Sequence, residues 1–169
     1  MLNIQTAIPA LLTALLLAGC SGDAIETGGG AGDTSFDADP AAVALITPLV
    51  GLYDLPDNWE GGSSEAFLEI QSPDTSGSAM ALLFRFNAFA NCYDPNPTLG
   101  DVTRDLFFDR IFLDNILSLD SSVLSLSGTS LVITLEDIND INGDGNFDET
   151  VSLQAPRISM LASDLMTCS

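Results

Sequence analysis

From Ala41 onward, apolar and polar residues alternate with a period of two, the pattern of strands that bury one face. Within Ala79–Asn87, Met80, Leu82, Phe84 and Phe86 share one face, while Arg85 and Asn87 end the other, which is otherwise mostly small. Leu131, Ile133 and Leu135 alternate with Val132, Thr134 and Glu136, and Val151 and Leu153 with Thr150, Ser152 and Gln154. Further strands are expected over Leu49–Leu55, Glu65–Gln71, Val123–Ser127 and Arg157–Leu161. Asp105–Leu119 fits a helix through Phe108, Ile111, Phe112 and Ile116, but is taken as strand. A short helical turn over Ala41–Ile46 leads into the first strand. Turn-forming runs such as Pro56-Asp57-Asn58, Gly61-Gly62, Pro73-Asp74, Pro95-Asn96-Pro97, Ser127-Gly128 and Asn142-Gly143 separate the apolar segments. Short strands at this spacing predict an all-β domain over residues 41–169, an antiparallel barrel or sandwich of about 7–9 strands.

Ahead of that domain the pattern changes twice. Ala7–Ala18 is an unbroken apolar run except for Thr13, shorter than the roughly 20 residues that span a bilayer and matching the apolar part of a signal peptide. It ends in Leu17-Ala18-Gly19-Cys20, which resembles the lipobox of bacterial lipoproteins. The resemblance implies cleavage after residue 19 and a lipidated Cys20, with residues 1–19 removed as the signal peptide. Residues 1–22 contain no Lys or Arg, a departure from the usual basic start. Each acyl methylene buried in the membrane contributes roughly 0.8 kcal/mol, so two or three chains make dissociation negligible. Ser21, where an Asp would signal inner-membrane retention in this family, implies the outer membrane. Residues 20–40, with Gly28-Gly29-Gly30 and Gly32 at their centre, show no hydrophobic period and read as a flexible tether.

Export changes how the cysteines are read. With Cys20 lipidated, Cys92 and Cys168 remain in a compartment that permits disulfides, and a bond between them is expected, two buried thiols being the alternative. It would close a loop of about 77 residues and contribute roughly 4 kcal/mol in the chain-entropy picture. Charge narrows the partners: 24 acidic residues against four Arg and no Lys give a formal net charge of −20, which disfavours nucleic acid and anionic membrane surfaces. Solubility and adaptation to salt-rich water are two explanations for so many carboxylates.

Two further resemblances bear on function. Leu49-Val50-Gly51-Leu52-Tyr53 is similar to the Gly-x-Trp start of lipocalin-type barrels, with Tyr53 in place of the Trp that plugs the closed end. Asp140-Ile141-Asn142-Gly143-Asp144-Gly145-Asn146-Phe147-Asp148-Glu149 resembles the D-x-[DN]-x-[DN]-G loops of EF-hands, dockerins and thrombospondin type 3 repeats. Such loops bind Ca²⁺, a hard cation that takes six to eight oxygens. The resemblance implies ligands from Asp140, Asn142, Asp144, Asn146 and Asp148, with Glu149, Asp137 or water closing the shell, because Val151 stands where an EF-hand has its bidentate Glu. The alternative is a solvated hairpin turn, against which stands the mutual repulsion of Asp137, Asp140, Asp144, Asp148 and Glu149.

Catalysis is not expected. The chain has no His and no Lys, hence no Ser-His-Asp triad, Cys-His pair or Schiff-base lysine. Carboxylates alone remain, with Asp54, Asp57, Glu60 and Glu65 near the first turn as the groups from which an acid and base pair for glycoside chemistry would have to come. Phe84, Phe86, Phe107, Phe108 and Phe112 are assigned to the core. Trp59, between Asn58 and Glu60, is a candidate ligand contact unless it folds back onto the barrel end, and Arg85 is a candidate counter-ion for an acidic ligand unless it pairs with a carboxylate. The expected protein is a lipid-anchored envelope lipoprotein acting as a non-catalytic binding or interaction module with structural calcium. The alternatives are a structural or assembly lipoprotein without a small ligand, and a carboxylate hydrolase. Its partners are the membrane, through the anchor, and envelope proteins or a small ligand.

Overall fold

The computed structural model describes residues 38–57, 59, 65–116, 119, 121–136, 145 and 150–169. The signal segment, Cys20, the tether up to residue 37, Glu60, and the expected calcium ligands Asp140, Asn142, Asp144, Asn146, Asp148 and Glu149 lie outside the described residues.

The domain begins with α1 (Pro40–Ile46). Asp39 caps it, its Oδ1 accepting from the N–H groups of Ala41 and Ala42 at 3.0 and 2.9 Å. Pro40 occupies the first turn, where a missing N–H costs nothing. A 3-10 turn, Thr47–Leu49, follows, and the helix and turn bury Ile46 and Leu49. Nine strands come next: β1 (Gly51–Asp54), β2 (Ala66–Ile70), β3 (Ala79–Asn87), β4 (Cys92–Tyr93), β5 (Thr98–Asp105), β6 (Arg110–Asp114), β7 (Ser122–Ser127), β8 (Ser130–Glu136) and β9 (Thr150–Ile158).

Eight of these form a closed antiparallel barrel. Going round it, β1, β2, β3, β5, β6, β7, β8 and β9 each pair with the next, and β9 returns to β1 through Leu52↔Ile158 and Tyr53↔Arg157. β4 is appended to β3 through Phe86↔Tyr93 and Asn87↔Cys92. Closure leaves no free edge on the eight strands, and it resolves the expected barrel or sandwich in favour of a barrel.

An eight-stranded barrel is just wide enough for side chains to fill it. Tyr53, Ala66, Leu68, Ile70, Ala79, Ala81, Leu83, Val102, Ile111, Leu113, Leu124, Leu131, Ile133, Leu135, Leu153 and Ala155 belong to one core cluster in which no buried member exceeds 7% exposure. Ile46 and Leu49 join the cluster at the end where β1 starts; Leu55, Trp59, Ile116 and Leu119 join it at the other. Outward positions on β7–β9 include Ser125, Ser127, Ser152 and Gln154, all exposed. On these three strands the apolar-in, polar-out alternation is the reverse of that in a membrane-spanning barrel. Among the described residues no helix is long and apolar enough to cross a membrane.

A second apolar cluster sits outside the barrel. Leu52, Phe67, Phe84, Tyr93 and Leu165 are buried together, with Leu82, Phe86, Ile158 and Ala162 against them. The large face of β3 thus points outward, and the small face, Ala79, Ala81 and Leu83, fits the interior. The C-terminal segment covers this outer cluster and is tied down at Tyr93, whose N–H donates to the Met166 carbonyl and whose carbonyl accepts from the Cys168 N–H, both at 2.8 Å. The expected Cys92–Cys168 disulfide is present, with Cα atoms 5.1 Å apart.

Several expectations need correction. Asp105–Leu119 is not one strand: a turn at residues 106–109 precedes β6, which ends at Asp114. Phe107 and Phe108 lie on that turn, 94% and 67% exposed, so they are not core. Phe112 faces outward and is half-buried; Phe84 is buried in a core cluster as expected, with Phe86 packed against it, but that cluster lies outside the barrel. Arg157 continues β9 rather than starting a new strand, and β4 and β5 lie where no strand was expected.

Candidate functional site

The barrel's interior is apolar, so polar side chains converge at its two rims. At the rim where β1 starts, Tyr53 and Arg157 form a latch. The Tyr53 hydroxyl donates to the Leu49 carbonyl at 2.6 Å and accepts from Arg157 Nη2 at 2.7 Å and Nε at 3.3 Å. Arg157 Nη2 also donates to the Pro48 carbonyl, and its Cζ lies 5.3 Å from the Tyr53 ring centre, within cation–π range. Gly51 permits this approach, because a Cβ there would stand 2.9 Å from Arg157 Nε, and its φ of +154° disfavours other residues. The aromatic of Gly51-Leu52-Tyr53 therefore closes this end, pinned to the 3-10 turn by a cation from the last strand. The partner went unnoticed in the sequence. Its signal is the inward parity of Val151, Leu153 and Ala155, which runs on to Arg157.

The opposite rim carries most of the candidate residues. The backbone N–H of Trp59 donates to the Pro56 carbonyl at 3.0 Å, which brings Trp59 back over the barrel end. The indole is only 1% exposed, and its Nε1–H has no hydrogen-bond partner among the described residues. Of the two outcomes open for Trp59, it folds back. Arg85, at an inward position at the end of β3, places its Cζ 5.3 Å from the Trp59 ring centre and is itself half-buried. The structure thus brings Trp59 and Arg85 together.

Beside them the Tyr93 hydroxyl donates to Glu65 Oε1 at 2.6 Å, and the Tyr93 ring packs against Phe67 and Phe86 at 5.4 and 5.3 Å. Burial first, then the hydrogen bond and charge of Glu65, push the Tyr93 phenol well above its ordinary value. Asp54 is also raised, chiefly by burial and then by the charges of Glu65 and Asp57. Three of the four carboxylates considered for glycoside chemistry are therefore electrostatically coupled. Asp54 faces outward, opposite in parity to Tyr53, and Glu65 is engaged by Tyr93.

The ends of β8 and β9 that the acidic loop connects, Glu136 and Thr150, pair at this same rim. Gly145, the loop's one described residue, has φ +86°, a left-handed conformation that suits glycine. Among the described residues no group of three or more acidic, Cys or His side chains is placed to hold a metal ion. The chain matches no protein-family model, and no curated protein or solved structure is significantly similar to it.

Proposed function

We propose that this chain is a lipid-anchored lipoprotein of the bacterial envelope whose barrel is a rigid scaffold, presenting its outer surface and rim loops to other envelope components rather than enclosing a small ligand. The observation that carries this is the filled interior: aliphatic side chains occupy the barrel, with Ile46, Leu49 and the Tyr53–Arg157 latch at one end and Trp59 and Leu55 at the other. An eight-stranded barrel either is filled by its side chains or holds one small ligand, and here side chains take the space. The meander of antiparallel strands and the Gly51-Leu52-Tyr53 latch support kinship of architecture with lipocalin-type barrels, while the packed interior separates this chain from their ligand carriers. Cys20 is the lipidation site, Ser21 favours the outer membrane, and calcium at the acidic loop is structural. No catalytic role is assigned.

Titration of the purified protein with an apolar fluorescent dye tests the scaffold assignment. The account expects no saturable uptake. One-to-one binding that is abolished by Leu68→Trp, in a variant that keeps its thermal melt, would establish an interior site and contradict it.

A further inference from the structure

We propose that the turn Leu106-Phe107-Phe108 is a membrane-contact element that seats the barrel, tether end down, in the interface of the bilayer holding its anchor. This rests on the lipid anchor proposed above. The three side chains are 75%, 94% and 67% exposed, an apolar apex on a chain whose surface is otherwise rich in carboxylates. The turn is held in shape. Asp105 Oδ1 accepts from the N–H groups of Phe107 and Phe108 at 2.6 and 3.2 Å, the Asp109 N–H closes onto the Asp105 carbonyl at 3.1 Å, and Asp109 stands at φ +52°. Exposed aromatics on a fixed turn that bury little within the domain mark a contact surface.

The occupant follows from where the tether attaches. Asp39, beside the point where the described chain begins, lies 3.5 Å from Arg104, which holds Asp109 at 2.6 Å. The tether therefore leaves the barrel next to this turn. Residues 20–37 are 18 in number and Gly-rich; a chain of that length and composition reaches roughly 23 Å root-mean-square, so an acylated Cys20 would tie this rim close to the bilayer. Both carboxylates flanking the apex are engaged, Asp105 by backbone and Asp109 by Arg104. Arg110 places its guanidinium carbon 5.5 Å from the Phe108 ring centre, so a cation stands beside the apolar apex at the level where lipid phosphates would lie. Aromatic and arginine side chains together are the residues that favour the headgroup boundary.

Phe89 provides an internal control, because it is fully exposed at the opposite rim. Acylated full-length protein carrying Phe107→Trp or Phe89→Trp, and the parent protein, would be reconstituted into phosphatidylcholine vesicles containing acyl-brominated phosphatidylcholine. The natural Trp59 is buried and contributes a constant background. The proposal expects bromine to quench F107W about twofold or more beyond F89W, with vesicles shielding F107W from aqueous acrylamide. Equal quenching, stronger quenching of F89W, or shielding of F107W that grows with protein concentration without vesicles overturns it, the last result pointing to a second copy of the chain. If none of the proteins floats with vesicles, the anchor fails and this inference with it; if all float and F107W stays in water, only this inference fails.

Discussion

Single residues in this chain are explained by which side of the barrel wall they occupy. Tyr53 was legible because an aromatic after Gly51 at the head of a strand suggests a plug. Its cation was not, because Arg157 lies 104 positions away and only closure of the barrel brings the two together. The opposite error concerns Phe107 and Phe108: apolar character suggested core, but a residue on a four-residue turn has no interior to enter. Asp54 carries a testable consequence of its placement on the outer wall. Burial and the neighbouring charges of Glu65 and Asp57 raise its folded-state pKa above 3.8, so the folded state holds its proton more tightly than the unfolded chain does. Stability is then lost as pH rises through the window from 3.8 up to that raised value, and ionised Asp54 is a burden at neutral pH. Asp54→Asn is expected to melt higher than the parent at neutral pH, with the advantage disappearing below pH 3.8. Calorimetric melts in both conditions check this, and a variant that melts lower at neutral pH would contradict it.

Elements were legible where alternation is strong and hidden where packing replaces it. β3, β8 and the first half of β9 stand out because large and small residues alternate along them. β5 does not, because its inward positions include Gly100, over which Ile116 lies so closely that a Cβ would meet Cγ1 at 2.2 Å. The neighbour supplies the bulk that the strand lacks, so no apolar period marks it. β4 is two residues long and exists because Tyr93 and Cys92 anchor the C-terminal segment. That segment is an element without secondary structure of its own beyond a 3-10 turn, Ala162–Asp164, and it covers Phe67, Phe84 and Tyr93 through Leu165 and Ala162. Cys168→Ser is expected to lower stability by roughly 4 kcal/mol, the chain-entropy contribution of a loop this long, and to open the outer cluster to an apolar dye. Denaturant unfolding with and without reductant measures it: the parent should fall to the variant's stability on reduction, and a parent indifferent to reductant would contradict the role given to the bridge.

At the scale of the whole molecule, parity and turn chemistry limited the fold to barrel or sandwich but left the two open, since both bury one face of each strand. The β1–β9 pairing decides it, and that contact joins the ends of the domain. With both mouths stoppered, the proposed recognition role would fall to the rims and the outer wall. Glu136 and Thr150, the strand ends that the acidic segment joins, lie at the rim opposite α1. If that segment holds calcium, millimolar Ca²⁺ should raise the melting temperature of EDTA-treated protein by several degrees, and superimposable curves would leave it a solvated turn. The proposed placement of the molecule in the envelope depends on one modification, acylation of Cys20. Intact-mass and peptide mass spectrometry of the protein isolated from membranes is the most direct test. The account predicts a chain beginning at Cys20 and carrying diacylglyceryl and acyl increments, whereas residues 1–19 still attached to an unmodified Cys20 would contradict it.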